Sequence, residues 1–293
     1  MTQRPGAVEF GFFPVPLAQE HDEIAAHVRL AEDLGLDLVG IQDHPYQRRF
    51  LDTFVLLPWL AARTSRIRFF SDVAHLPLRP PALLAKQAAS LDVLSGGRFE
   101  LGVGSGGFSK ASQAMGAPAR EGRAALDALA EAIDIMRRFW ETPERGITHD
   151  GTHYRLGGVK AGPPPAHRIG IWVGGYGPRM LQLIGRVADG WVPSAAYLAK
   201  EDLFDRQRLL TQAAENAGRH PTEVRRILNV GGPAARDADQ YLSGPVDESW
   251  ADELTSLAEA GFDAFVLWPD GDAEEQLRRF ADVAADVRAR LGA

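Results

Sequence analysis

Residues 170–191 read GIWVGGYGPRMLQLIGRVADGW and pass from strand to helix within a few positions. Ile169 to Val173 is apolar, β-branched and aromatic, too short for a helix, and closed by Gly174-Gly175, which predicts a buried strand. Gly177 and Pro178 follow, and then Met180, Leu181, Leu183, Ile184 and Val187 recur at helical spacing. Proline suits the first helical position, where its missing N–H leaves nothing unsatisfied. Glycines ahead of a helix let a ligand approach the backbone, and the free N–H groups at the positive end of the helix dipole favour an anion. The turn Gly174, Gly175, Tyr176, Gly177, Pro178, Arg179 is therefore a candidate phosphate site, with a plain strand-to-helix turn as the simpler reading.

The same unit recurs on both sides. Upstream, strand patterns at 8–13, 36–41, 67–73 and 98–103 alternate with helical patterns at 20–34, 52–63, 82–94 and 121–140. Downstream, strands at 188–193, 224–230 and 264–267 alternate with helices at 200–217, 250–260 and 273–291. Eight strand-then-helix units in series predict an α/β fold, a (β/α)8 TIM barrel over residues 1–293. A doubly wound open sheet is the runner-up, because the same alternation builds either. Insertions fall near 107–120, 142–168 and 232–248; within the second, 152–156 reads as one strand of a hairpin and Pro163 to Pro165 as a stiff linker.

Composition excludes several classes. The 293 residues are 45% hydrophobic and 24% charged, an ordinary globular balance. With no Cys there is no disulfide, thiol nucleophile or thiolate metal ligand. A net charge of −7 without a long basic run argues against nucleic acid as a partner. MTQRPGAVEF lacks the apolar core of a signal peptide, and no apolar run approaches the ~18 residues of a membrane span, so a cytoplasmic protein is expected.

On a barrel, active sites sit at the C-terminal ends of the strands. Residues closing the predicted strands are Asp43-His44, then Ser71-Asp72 with His75, then Gly104-Ser105-Gly106, then Gly174 to Gly177, and all fall on one rim. His44 is the candidate proton carrier, since an imidazole titrates near working pH, and Asp43 is its neighbour. Gly102 to Gly106 is not a dinucleotide fingerprint, because the loop FSKASQAMG follows where a helix should begin. Metal hydrolysis lacks a His-x-His ligand set and Ser-His-Asp hydrolysis lacks a G-x-S-x-G elbow.

Four stretches resemble the luciferase-like monooxygenase superfamily, which includes bacterial luciferase, FMN-dependent monooxygenases and oxidoreductases that use the deazaflavin F420. They are LGLDLVGIQDHPY, RIRFFSDV, PPALLAKQAASLDVLSGGRFELGVGSG and GGYGPRMLQLIGRVADGW. The resemblance implies a barrel whose strand ends hold F420, with FMN as the alternative, and whose phosphate lies on the turn from Gly174 to Arg179. It implies that Ser71, Asp72 and Val73 line the ring with Gly104, Ser105 and Gly106, that the Asp72–Val73 peptide is cis behind the ring, and that His44 beside Asp43 takes part in catalysis. It further implies hydride transfer to or from a small organic substrate, a homodimer, and for FMN a separate reductase. Phe54, Leu57 and Trp59 are candidates for the dimer face or the core. Relatives that oxidise glucose 6-phosphate carry a Glu where this chain has Gly107, which argues against a sugar phosphate. A barrel that binds the cofactor without turnover is the alternative of another class.

Overall fold

The computed structural model describes residues 8–141, 146–232 and 241–292. Its strands are β1 (Glu9–Phe12), β2 (Leu38–Ile41), β3 (Arg68–Ser71), β4 (Ala74–His75), β5 (Phe99–Gly104), β6 (Gly146–Asp150), β7 (Arg155–Lys160), β8 (Ile171–Val173), β9 (Gly190–Trp191), β10 (Arg225–Gly231) and β11 (Ala264–Trp268). Parallel neighbours run β3-β2-β1-β11-β10-β9-β8-β5, and β3 pairs again with β5 through Phe69 and Phe99. That last pairing closes the sheet into an eight-stranded barrel and decides against the open sheet. The short β4 continues the line of β3 and pairs with the end of β5. The helices are α1 (His21–Asp33), α2 (Thr53–Ala61), α3 (Pro81–Ser95), α4 (Ser109–Ala114), α5 (Gly122–Glu141), α6 (Pro178–Val187), α7 (Lys200–Asn216), α8 (Ser249–Glu259) and α9 (Ala273–Leu291).

Alternation along the strands sorts side chains into an outer and an inner set. Outward residues such as Phe10, Val39, Phe69, Leu101, Ile171 and Leu228 form the main core against the helices. Inward residues form layers. At the N-terminal mouth Glu9 accepts from Arg68 and, at 2.6 Å, from Arg225, while Glu100 accepts the Gly170 N–H at 2.6 Å. Above them Leu38, Phe70, Trp172, Ile227 and Val266 fill the barrel, with the Phe70 and Trp172 rings 5.1 Å apart. Glycines make room for these rings, since a Cβ at Gly40 would stand 2.7 Å from Phe70 and one at Gly190 2.7 Å from Trp172. The uppermost inward residues, Asp72, Val192, Asn229 and Trp268, are the floor and wall of the site.

The insertions differ from expectation in detail. Residues 107–120 contain α4, which buries only Ser112 and so leaves no apolar stripe to read in the sequence. The hairpin exists as antiparallel β6 and β7, but its second strand starts at Arg155, because the Glu131 carboxylate accepts the N–H groups of His153 and Tyr154 at 3.0 and 2.7 Å and holds 152–154 in the turn. Residues 142–145 and 233–240 of the expected insertions lie outside the described residues. Leu57 belongs to the core, being fully buried.

Candidate active site

The C-terminal strand ends surround a cavity of about 650 Å³. Val73 projects into a cradle of glycines at its base. A Cβ on Gly104 would lie 2.9 Å from Val73 Cγ2, one on Gly174 3.0 Å from it, and one on Gly102 1.9 Å from the Ser71 carbonyl. The Asp72–Val73 peptide is cis, as the resemblance implied. The segment after β3 thus meets β5 and the end of β8 around Val73, where the glycines leave no room for further side chains.

Beside this patch lies the glycine turn. Gly174 donates to the Val103 carbonyl at 3.2 Å, and Trp191 Nε1 donates to the Gly175 carbonyl at 2.8 Å, which fixes the turn to the barrel. Gly177 caps α6, Pro178 occupies its first position, and a Cβ on Gly177 would meet nothing within 4 Å. The N–H groups of Gly175, Tyr176 and Gly177 take no acceptor from the described residues. With the unsatisfied first-turn N–H groups of α6 they form an open donor set at a positive helix end, the chemistry of a phosphate site.

Across the cavity stands His44. His44 Nδ1 and the Tyr46 hydroxyl are 2.6 Å apart, and the His44 ring also packs edge-on against Phe108 at 5.8 Å. His44 lines the cavity, and among the described residues its Nε2 has no hydrogen-bond partner. Burial pushes the His44 imidazole below the ordinary histidine value, against the opposing charge of Asp43. Burial likewise lifts the Tyr46 phenol to about 12, with Asp43 adding to it. His44 is thus neutral at neutral pH and its hydroxyl partner stays protonated.

Asp43 has a different position from that of a proton carrier. It is buried and accepts from Arg79 Nε and Nη2, both at 2.7 Å, and from the His75 N–H at 2.8 Å. Arg79 also donates to Asp52 at 2.7 Å. These bonds lock the β2 loop to the segment after β4 and set the direction in which His44 leaves the backbone. His75, held by Ser112 Oγ at 2.6 Å, is pushed below the usual histidine range by burial.

Twelve of the residues singled out in the sequence line this cavity: Asp43, His44, Asp72, Val73, His75, Gly104, Ser105, Gly106, Gly174, Gly175, Tyr176 and Gly177. Three do not. Ser71 is fully buried, its hydroxyl donating to the Gly102 carbonyl at 2.7 Å. Pro178 is exposed at the helix start, and Arg179 lines an external groove between α5 and α6. Sequence reasoning missed Tyr46, Phe108, Tyr197, Asn229 and Trp268. Asn229 was recoverable by parity, since Arg225, Ile227, Asn229 and Gly231 alternate inward along β10.

Fold and site together define a barrel whose rim cavity brings together a glycine cradle, an open N–H turn and a half-buried histidine. The sequence model of the luciferase-like monooxygenases matches residues 8–243, and the chain belongs to that family. It is 29% identical over 292 residues to the F420-dependent glucose-6-phosphate dehydrogenase of Intrasporangium calvum, spanning 89% of this chain and 86% of that one. It is 32% identical over 255 residues to the F420-dependent hydroxymycolic acid dehydrogenase of Mycobacterium tuberculosis, spanning 82% and 69%. A match to the glucose-6-phosphate dehydrogenase of Kineococcus radiotolerans, at 31% identity, spans 68% of this chain and 60% of that protein. Among solved structures, an F420-dependent secondary alcohol dehydrogenase superposes with a TM-score of 0.84 at 18% identity, covering 96% of this chain and 99% of that one. An FMN complex of a Baeyer-Villiger monooxygenase from Pseudomonas putida superposes at 0.77 and 19% identity, covering 96% and 98%.

Proposed function

We propose that the chain is an F420-dependent oxidoreductase acting on a small organic substrate. The observation that carries this reading is the meeting, in one cavity, of the glycine cradle around Val73, the open N–H turn before α6 and the unpartnered Nε2 of His44. The residues fit the group: the cradle would clash with any Cβ, and the turn keeps donors free. Bound deazaflavin supplies or accepts a hydride, while the protein contributes orientation and electrostatics. Gly175, Tyr176 and Gly177 would hold the phosphate through their N–H groups. Val73 and Gly104 would support the ring.

His44 handles the proton. In the tautomer whose Nδ1–H donates to the Tyr46 oxygen, Nε2 would accept the proton of a substrate hydroxyl, and in the reverse direction return it to the carbonyl oxygen. Asp43 positions the loop rather than carrying charge to the substrate. Phe108, Tyr46, Tyr197 and Trp268 give the cavity an aromatic wall suited to an apolar substrate body. His44→Ala should abolish turnover while F420 affinity stays within a few-fold of wild type; unchanged turnover would remove His44 from the mechanism.

The same reading includes a cytoplasmic homodimer. Val55 on α2 and Leu83, Val93 and Leu94 on α3 are large apolar side chains left 66, 54, 47 and 81% exposed on adjacent helices, which supports self-association there. Light scattering should give twice the 31.9 kDa chain mass, and Leu94→Glu should halve it.

A further inference from the structure

We propose that Asp72 selects the charge form of the bound ring: as a neutral acid it completes the floor beneath the ring, and when ionised it expels an anionic ring. This rests on the F420 reading above. Asp72 is the inward residue of the β3 line one step above Phe70, directly before the cis bond to Val73 that the ring would cover. Its Oδ1 accepts from Asn229 Nδ2 at 3.1 Å, and that same amide donates to Ser194 Oγ at 3.3 Å. Its Oδ2 is buried and has no partner among the described residues, and neither has Asn229 Oδ1.

No cation compensates it among the described residues. Arg79 is taken by Asp43 and Asp52, and Arg68 and Arg225 lie in the lower layer with Glu9 and Glu100, beneath Phe70 and Ile227. A carboxylate buried with one oxygen unsolvated is strongly disfavoured, so the group keeps its proton instead. Burial accordingly lifts Asp72 to about 7, against the one hydrogen bond from Asn229.

The remaining titratable groups around the cavity leave the range just above neutrality to Asp72. Tyr176, on the β8 turn, feels the Asp72 charge and is raised by burial above its ordinary 10.0. His44 and His75, on the β2 and β4 sides, are both lowered by burial, and Tyr46 stands at about 12. The oxidised deazaflavin carries an acidic ring hydroxyl and becomes a delocalised anion near neutrality. An ionised Asp72 in this water-poor floor would repel an anionic ring bound over Val73. Ring binding therefore requires the protonated acid, and any molecule whose Asp72 is ionised must first take one proton from solvent.

The test is a fluorescence titration of wild type, Asp72→Asn and Asp72→Ser with F420 between pH 6.5 and 9. The ring's own ionisation is common to all three and cancels in the ratio of dissociation constants. Relative to Asp72→Asn, wild type should bind about twofold more weakly at pH 7, ~10-fold at pH 8 and ~100-fold at pH 9, the tenfold-per-unit slope of one required proton. Asp72→Ser guards against misfolding of the first variant and should follow it. A ratio that stays flat overturns the inference and leaves the F420 reading standing; absence of F420 binding by any variant at any pH overturns both. A cofactor-free measurement gives an independent check. Because Asp72 ionises near its ordinary 3.8 when unfolded and about 7 when folded, its ionisation costs stability across that window. The neutral variants should gain on wild type in denaturant unfolding as pH rises from 4 to 8, and parallel profiles would refute the buried acid.

Discussion

Removing one carboxylate oxygen from Asp43 should damage this protein more than any other single-atom change at the rim. Asp43 accepts three hydrogen bonds, two from the Arg79 guanidinium at 2.7 Å and one from the His75 N–H at 2.8 Å, and only 2% of its surface is exposed. Asp43→Asn keeps the shape but turns an NH2 group toward a buried donor and leaves Arg79 without its main counter-charge. Breaking one partner of a buried ion pair typically costs 3–5 kcal/mol, and the surviving bond from Arg79 to Asp52 places the expected loss at about 3 kcal/mol. At roughly 2–4 °C per kcal/mol for a chain of this order, the melting temperature should fall by about 6–12 °C. Tryptophan fluorescence during denaturant unfolding reads the change, with six indoles as reporters. Asp52→Asn is the internal control: its side chain is 42% exposed, so its loss should stay below ~1 kcal/mol. Equal effects of the two substitutions would refute the claim that Asp43 is the structural anchor of the β2 loop.

Two further outcomes follow from the geometry. Gly104→Ala places a Cβ 2.9 Å from Val73 Cγ2, and overpacking of this kind costs ~1–3 kcal/mol, here taken from the cradle rather than the core. F420 affinity should fall by about tenfold or more, and unaltered affinity would show that Val73 does not face the ring. His167 hydrogen-bonds Glu100 at 3.3 Å and Asp92 at 2.8 Å, and these carboxylates, Glu100 foremost, hold it above the ordinary 6.5 despite partial burial. Its contribution is fully present below pH 6.5 and is lost as pH rises through the folded value. Unfolding free energy should therefore step down above pH 6.5 in wild type, and His167→Gln should lack that step.

The barrel was legible because its signal is repetitive: short apolar runs closed by glycine or a polar residue, each followed by a 3.6-period stripe, survive errors of a residue or two at every boundary. The rim was legible for the same reason, since knowing where a strand ends places Asp43, His44, Gly104 and Gly174 together without any tertiary information. Roles were harder to read. The sequence shows Asp43 beside His44, yet the partner that fixes Asp43 is Arg79, 36 residues away and brought there by the turn after β4. Ser71 looked like a lining residue, but parity turns it outward to the Gly102 carbonyl and gives the inward place to Asp72. Phe108 sits in a left-handed conformation (φ 53°) at the start of α4, a short helix with no periodic stripe, so nothing local announced that it would cap His44.

The most direct measurement is a parallel fluorescence titration of the apo-protein with oxidised F420 and with FMN near pH 7. The phosphate turn and the cradle predict saturable one-to-one binding of F420. Tight binding of FMN alone would contradict the deazaflavin assignment, and binding of neither would contradict the phosphate turn at Gly174 to Gly177 itself.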